Sequence, residues 1–324
     1  MHSIDIPPHL KEIHWAFRHS GLQSVNFLSN SKLKKIGLST FLGCVSLTSV
    51  ELPSSVELIY PDAFSKTGLQ RVTFQPDTKL QWIGENAFSY CQNLHSIEIP
   101  SSVEILAYSS FFSTGLTSIR FKPGSRLRDI RGSVFANCIH LSSIEIPSSV
   151  TCIGMAAFSQ SGLQSITFPD SNLLEIGRSL FEGCTQLESI EIPSSIEEIG
   201  SRAFRGSGLK SITFAPNSRL RVIENLAFAD CPNLTYLELP SSVKEISENA
   251  FQNNPNLHTI SLAQKDDNMP ININQLLPAS SSQEDNQNEQ QITKIWSKSD
   301  EHSPWNKNSR NSVGFFNDIW SKTE

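Results

Sequence analysis

The apolar and polar positions of this chain follow a short pattern that returns at regular intervals. A six-residue motif, Leu-x-x-Ile-x-Ile or Leu-x-x-Ile-x-Phe, appears in Leu94–Ile99 and Leu116–Phe121 and recurs, with minor substitutions, as far as Leu262. Its first, fourth and sixth residues are apolar, so the motif predicts a short strand with those three residues turned inward and its third and fifth outward. Proline often follows at once, as at Pro53, Pro100, Pro147, Pro193 and Pro240. Without an N–H it cannot continue a ladder, and it ends the strand. An I-x-x-x-A-F segment such as Ile83–Phe88 comes next, and it is expected to cross the opposite side as a single helical turn. Entry to the next strand alternates between Cys-x-x-Leu and a Ser/Thr-Gly pair. The glycines of those pairs, Gly21, Gly68, Gly115, Gly162 and Gly208, predict a bend with positive φ.

The prolines Pro7, Pro53, Pro100, Pro147, Pro193 and Pro240 lie 46 or 47 residues apart. Each such unit divides into a turn of about 22 and a turn of about 25 residues with a common skeleton, giving about eleven turns from Ile6 to Leu262. A single strand per turn cannot bury its own inner face, whereas stacked copies share a continuous core. The repeat therefore implies a solenoid with a parallel sheet along one side, roughly 50–55 Å long at about 4.8 Å per strand.

The pattern I-P-S-S-V-x-x-I-G-x-x-A-F-x-x-C/G-x-L-x-x-I, carried by residues 1–263, resembles the BspA-type leucine-rich repeat. The resemblance implies an α/β solenoid, a right-handed leucine-rich-repeat superhelix with a parallel sheet on its concave side. It also implies a role without catalysis, since many relatives in bacteria and parasitic protists are surface antigens or adhesins. Residues 264–324 fall outside the pattern and form a separate polar tail.

Composition narrows the function classes. The chain has 38% hydrophobic and 18% charged residues and a net charge of −6, which argues against nucleic acid as the main partner because phosphate neutralisation needs a clustered basic surface. No run approaches 18 apolar residues, so no transmembrane helix is expected. The opening MHSIDIPPHLKEI shows no basic segment followed by an apolar one. Family resemblance thus points to the cell surface, and the missing signal and anchor point to the cytoplasm. No Ser-centred nucleophile elbow, phosphate loop or dinucleotide fingerprint occurs, so neither an enzyme nor a cofactor is expected. His9, His14 and His19 lack the spacing of a metal set.

Two rows of side chains belong to the expected core. Phe17, Phe41, Phe64, Phe88, Phe111, Phe135, Phe158, Phe181, Phe204, Phe228 and Phe251 recur once per turn. Cys44, Cys91, Cys138, Cys184 and Cys231 recur every second turn. Rungs two steps apart are separated by roughly 9–10 Å, too far for the Cα spacing of a disulfide, at most about 7 Å. These thiols are expected to be free and inward, with Cys152 alone at a semi-buried position.

The outward strand positions carry the candidate site. An acid stands on every second strand at Asp5, Glu51, Glu98, Glu145, Glu191 and Glu238, with short hydroxyls between them. Arg71, Arg120 and Tyr236 interrupt that pattern and are the residues expected to make selected contacts. A straight acidic row would steer a basic or extended protein partner. An ordinary solvated face, copied by duplication of one ancestral unit, accounts for the same residues. The carboxylates are too widely spaced to share a calcium ion.

Both ends depart from the repeat. The first residues align with Leu94–Ile99, so the chain starts inside a strand. That start is expected to reflect either a fragment of a longer ancestor or self-association through the uncapped edge. The tail is polar enough to be expected disordered, yet Ile295-Trp296-Ser297-Lys298 returns as Ile319-Trp320-Ser321-Lys322. Such clusters serve as docking peptides, fold back as a cap, or have no role. If they dock a second protein, the chain is an intracellular adaptor.

Overall fold

Apolar residues at every second position and a proline stop give strands of three or four residues, and the chain stacks twelve of them in parallel. The computed structural model describes residues 2–263. The strands are Ser3–Ile6, Ser24–Phe27, Ser49–Leu52, Arg71–Phe74, Ser96–Ile99, Ser118–Phe121, Ser143–Glu145, Ser165–Thr167, Ser189–Ile192, Ser211–Phe214, Tyr236–Leu239 and Thr259–Leu262. They form a β-solenoid of about eleven turns. Within each the middle apolar residue is buried, or nearly so in the first, and the third and fifth motif residues face out, as Ser49 and Glu51 do on either side of the buried Val50.

The strands hydrogen-bond in twos across the short turns. Ser49 pairs with Arg71 and Glu51 with Thr73, and Glu98 pairs with Arg120. Across the long turns the neighbouring strands form no ladder. A second ladder, unforeseen from the motif, is more continuous. Two-residue strands at Glu12–Ile13, Lys35–Ile36, Leu58–Ile59, Trp82–Ile83, Ile105–Leu106, Asp129–Ile130 and Cys152–Ile153 make a seven-stranded parallel sheet. Glu175–Ile176, Glu198–Ile199, Val222–Ile223 and Glu245–Ile246 make a four-stranded one.

The expected helical turn is absent, and the α component of the anticipated α/β solenoid is not found among the described residues. The crossing segment is a run of tight turns. Successive N–H groups alternate in their partners: Ser39, Phe41 and Gly43 donate to Pro61, Ala63 and Ser65 of the next turn, while Thr40, Leu42 and Cys44 donate three residues back within their own. Two left-handed residues per turn enforce this, for example Asp62 and Lys66 at φ of 57° and 58°. A left-handed residue every few positions is incompatible with an α-helix.

The Ser/Thr-Gly glycines also serve a different purpose from the expected one. None of Gly21, Gly68, Gly115, Gly162 or Gly208 has a positive φ. A Cβ on Gly115 would stand 1.9 Å from the Gln92 carbonyl oxygen, and on Gly68 2.1 Å from that of Val45. These glycines let one turn close onto the turn before it. Gly21 has nothing within 4 Å.

Inside, the phenylalanines stack with ring centroids 5.1–5.7 Å apart from Phe17 to Phe251. Burying each contributes roughly 1.5–3 kcal/mol. The five recurring cysteines are buried and unpaired. Each thiol donates to the carbonyl of a phenylalanine in the preceding turn, as Cys138 does to Phe111 at 3.1 Å, and meets a hydroxyl such as Thr114 Oγ1 at 3.2 Å. Asn254 takes the same place in the last turn, donating to Phe228 at 2.8 Å. Burial pushes the thiols of Cys91 and Cys184 up to about 11. Cys152, expected to be semi-buried, is instead exposed on the second ladder, because it occupies the outward position of its two-residue strand.

Candidate functional site

Strand pleating sets the candidate face. Glu51, Glu98, Glu145, Glu191 and Glu238 all lie at exposed positions flanked by buried residues, and Asp5 is exposed in the first strand. Each acid has a polar or basic register partner across the short turn: Asn26, Thr73, Arg120, Thr167, Thr213 and Ser261. Acids two rungs apart are separated by roughly 9–10 Å.

Local contacts modify the row at three points. Asn26 donates to Asp5 Oδ1 at 3.0 Å. Lys122 lies 3.8 Å from Glu98, a loose pair between exposed groups that contributes little. Tyr236, 48% exposed, places its hydroxyl 3.1 Å from Ser261 Oγ. Arg71 and Arg120 project from the same face on short-turn strands. Tyr236 and Glu238 come together with Ser211, Thr213 and Phe214 in an open cleft of about 930 Å³. That cleft opens at a long-turn step, where neighbouring strands share no ladder. The row is an extended surface, one acid on every second strand. The tail motifs at Ile295, Trp296, Ile319 and Trp320 lie outside the described residues.

The second ladder carries residues that the motif reading passed over. Leu58, Trp82 and Ile105 occupy adjacent outward positions in register. Tyr60 meets Trp82 edge-on at 5.6 Å, His14 lies 6.0 Å from Tyr60, and Trp15 lies 5.6 Å from His14. Farther along the solenoid, on the separate four-stranded sheet, the outward residues are acidic at Glu175, Glu198 and Glu245, with Val222 between the last two and Glu224 beside them. Glu224 accepts a hydrogen bond from the Ser201 amide at 2.7 Å. Partial burial, then the charge of Glu224 and a hydrogen bond that the protonated Glu198 donates to it, pushes Glu198 up to about 7. Glu175 is raised by partial burial and by Glu224. The sequence signal was the residue before each Ile of the I-G step, whose identity varies while its neighbours repeat.

Comparison with known proteins agrees with this geometry. The family described as "BspA type Leucine rich repeat region (6 copies)" matches residues 13–125, 76–186, 107–221 and 174–276. The crystal structure of the pneumococcal vaccine antigen PcpA is similar, at 20% identity and a TM-score of 0.54, over 81% of this chain and 72% of that one. A leucine-rich cell surface protein from Faecalibacterium prausnitzii shares 22% identity over 82% of this chain and 88% of that one, with a TM-score of 0.32. A leucine-rich repeat protein from Bacteroides ovatus shares 23% identity over 81% and 84%, with a TM-score of 0.39. No curated protein matches the chain.

Proposed function

The chain belongs to the BspA-type leucine-rich-repeat family, and on that premise we propose that it is a non-enzymatic scaffold that binds a protein partner on its exposed strand face, in the manner of a surface antigen or adhesin. The observation that carries this reading is the regular row of exposed acids, Asp5, Glu51, Glu98, Glu145, Glu191 and Glu238, each on its own rung. Arg71, Arg120 and Tyr236 supply the departures from uniform charge that give a partner its register. The resemblance in fold to a bacterial vaccine antigen supports the antigen-like scaffold of this reading.

The spacing of the row selects the partner's conformation. A polyproline-II segment rises about 3.1 Å per residue with three residues per turn, so a Lys or Arg at every third position returns to one side every 9–10 Å. The probe is a fluorescent Pro-Pro-Lys repeat peptide, titrated beside a peptide of equal charge with its lysines in one block. Tighter binding of the spaced peptide, lost when Glu98, Glu145 and Glu191 are all changed to Lys, is the expected result. Equal affinity of the triple variant and the parent removes the row from the function. Protease treatment of intact cells tests the location, with release of solenoid peptides before lysis expected.

A further inference from the structure

The strand face is short of the residues that anchor protein interfaces. Trp and Tyr dominate such anchors, and among the described residues, apart from Tyr236, they stand elsewhere. Trp15 is 59%, Tyr108 49% and Met155 56% exposed, so they are not core residues displaced to the rim. Trp15, His14, Tyr60 and Trp82 form a linked chain of rings along the second ladder. Leu58 and Ile105 flank Trp82 in register, and the Tyr108 ring continues the band toward Gly132 and Met155. Leu58, Tyr60, Trp82 and Ile105 are half-buried between the exposed Trp15 and Tyr108, and apolar surface gathered in this way marks an interaction site.

Charge distinguishes one end of the ladder from the other. In its first half the charges are paired within the molecule: Glu12 with Lys35 at 3.4 Å, Lys34 with Glu57 at 3.0 Å, Arg128 with Glu104 at 2.7 Å and Arg131 with Asp129 at 2.9 Å. In its second half Glu175, Glu198, Glu224 and Glu245 crowd together. Among the described residues no Lys, Arg or His lies within 4.0 Å of any of the four. Folding alone gains nothing from stacking like charges on neighbouring rungs.

We propose that the second ladder is a docking surface for an extended segment of another protein, one with an apolar stretch that covers Leu58, Trp82, Ile105 and Tyr108 and a run of Lys or Arg that reaches Glu175, Glu198, Glu224 and Glu245. Five rungs separate Trp82 from Glu198, roughly 24 Å, which about seven extended residues span at 3.3 Å each. The acids repel nucleic acid and anionic lipid alike. A second copy of this chain fits poorly. A two-fold axis at the Trp82 rung would set Leu58 against Ile105 but leave Glu175, Glu198, Glu224 and Glu245 uncovered, and an axis at the Asp129 rung would set Trp82 against Glu175 and Leu58 against Glu198.

The test uses a phage-displayed library of random peptides of about 16 residues, long enough to span both halves, selected on the full chain. Enriched peptides are expected to share an aliphatic or aromatic cluster followed by basic residues. The synthetic consensus peptide is then titrated by fluorescence polarisation. Tyr108→Ser, and separately Glu198→Lys with Glu224→Lys, should each weaken binding at least about tenfold, or about 1.4 kcal/mol, with thermal midpoints near the parent's. The strand-face triple variant should bind as the parent does, which keeps this surface separable from the acidic row. The proposal is overturned by a selection without enrichment, by a consensus lacking the apolar-then-basic order, or by unchanged affinity in Tyr108→Ser. Loss confined to the strand-face variant, or a dimer in sedimentation that Tyr108→Ser dissociates, overturns it equally.

Discussion

Glycine and cysteine in this repeat are placed by what the adjacent turn presents to them. Gly115 faces the Gln92 carbonyl, and an added methyl group has no room. Gly21 occupies the same motif position with open space around it. Gly115→Ala should therefore lose roughly 2–3 kcal/mol in urea unfolding, whereas Gly21→Ala should stay within about 0.5 kcal/mol of the parent. Equal losses would mean that φ, not crowding, governs the position. The thiols make a parallel case. Raised thiol values and burial keep Cys91 and Cys184 protonated and inert at neutral pH. A maleimide reagent should modify Cys152 alone in the native protein and all six cysteines after denaturation. Modification of several in the native state would contradict the ladder of S–H donors.

At the scale of the element, the crossing segment shows where sequence reading succeeds and where it fails. The stack of phenylalanines was legible because an apolar ring once per turn has only one place to go. The helical turn was a misreading. I-x-x-x-A-F has the apolar spacing of a helix, and the left-handed residues within it include Asp62, Asn86, Ser109, Ala156 and Leu226, none a glycine. Ladder bonds to the next turn repay the strain and leave no mark in a local window. Ala156, at φ 58°, distinguishes the two conformations by sign. Ala156→Gly should stabilise the folded chain by about 0.5–1 kcal/mol by relieving a left-handed alanine, where a helical site would be destabilised by about 1 kcal/mol. Comparison of unfolding midpoints decides it. The glycine bends were misread for the related reason that the obstructing carbonyl comes from residues about 23 positions away.

Over the whole molecule, the two faces differ in how far the sequence disclosed them. The acids of the strand face were legible because period-two alternation assigns every side chain to a side. The second ladder was not, because two residues per turn are too few to show a period. Its acidic half imposes a pH dependence. Glu198 has its folded value raised from 4.5 to about 7, so the folded state holds a proton that the unfolded chain has already released. The associated stability is present in full below about pH 4.5 and is lost as the pH rises toward 7. Thermal midpoints should fall across that interval, and Glu198→Gln should flatten the fall. An unchanged slope in the variant would remove this carboxyl as the cause.

The alternation of hydrogen-bonded and open steps along the strand face also defines the unit by which such a molecule can change length. A strand that ends in Phe closes a pair, and a strand followed by Pro opens one. Losing a single turn of about 22 or 25 residues would set two closing strands, or two opening strands, side by side, and would bring two cysteine turns or two glycine turns together. Removing residues 100–146 joins Ile99 to Pro147, the same junction that Ile99 makes with Pro100. The genetic quantum of this architecture is thus the double turn, and growth or shrinkage by that step leaves every glycine, thiol and ring facing a neighbour of the kind it faces now.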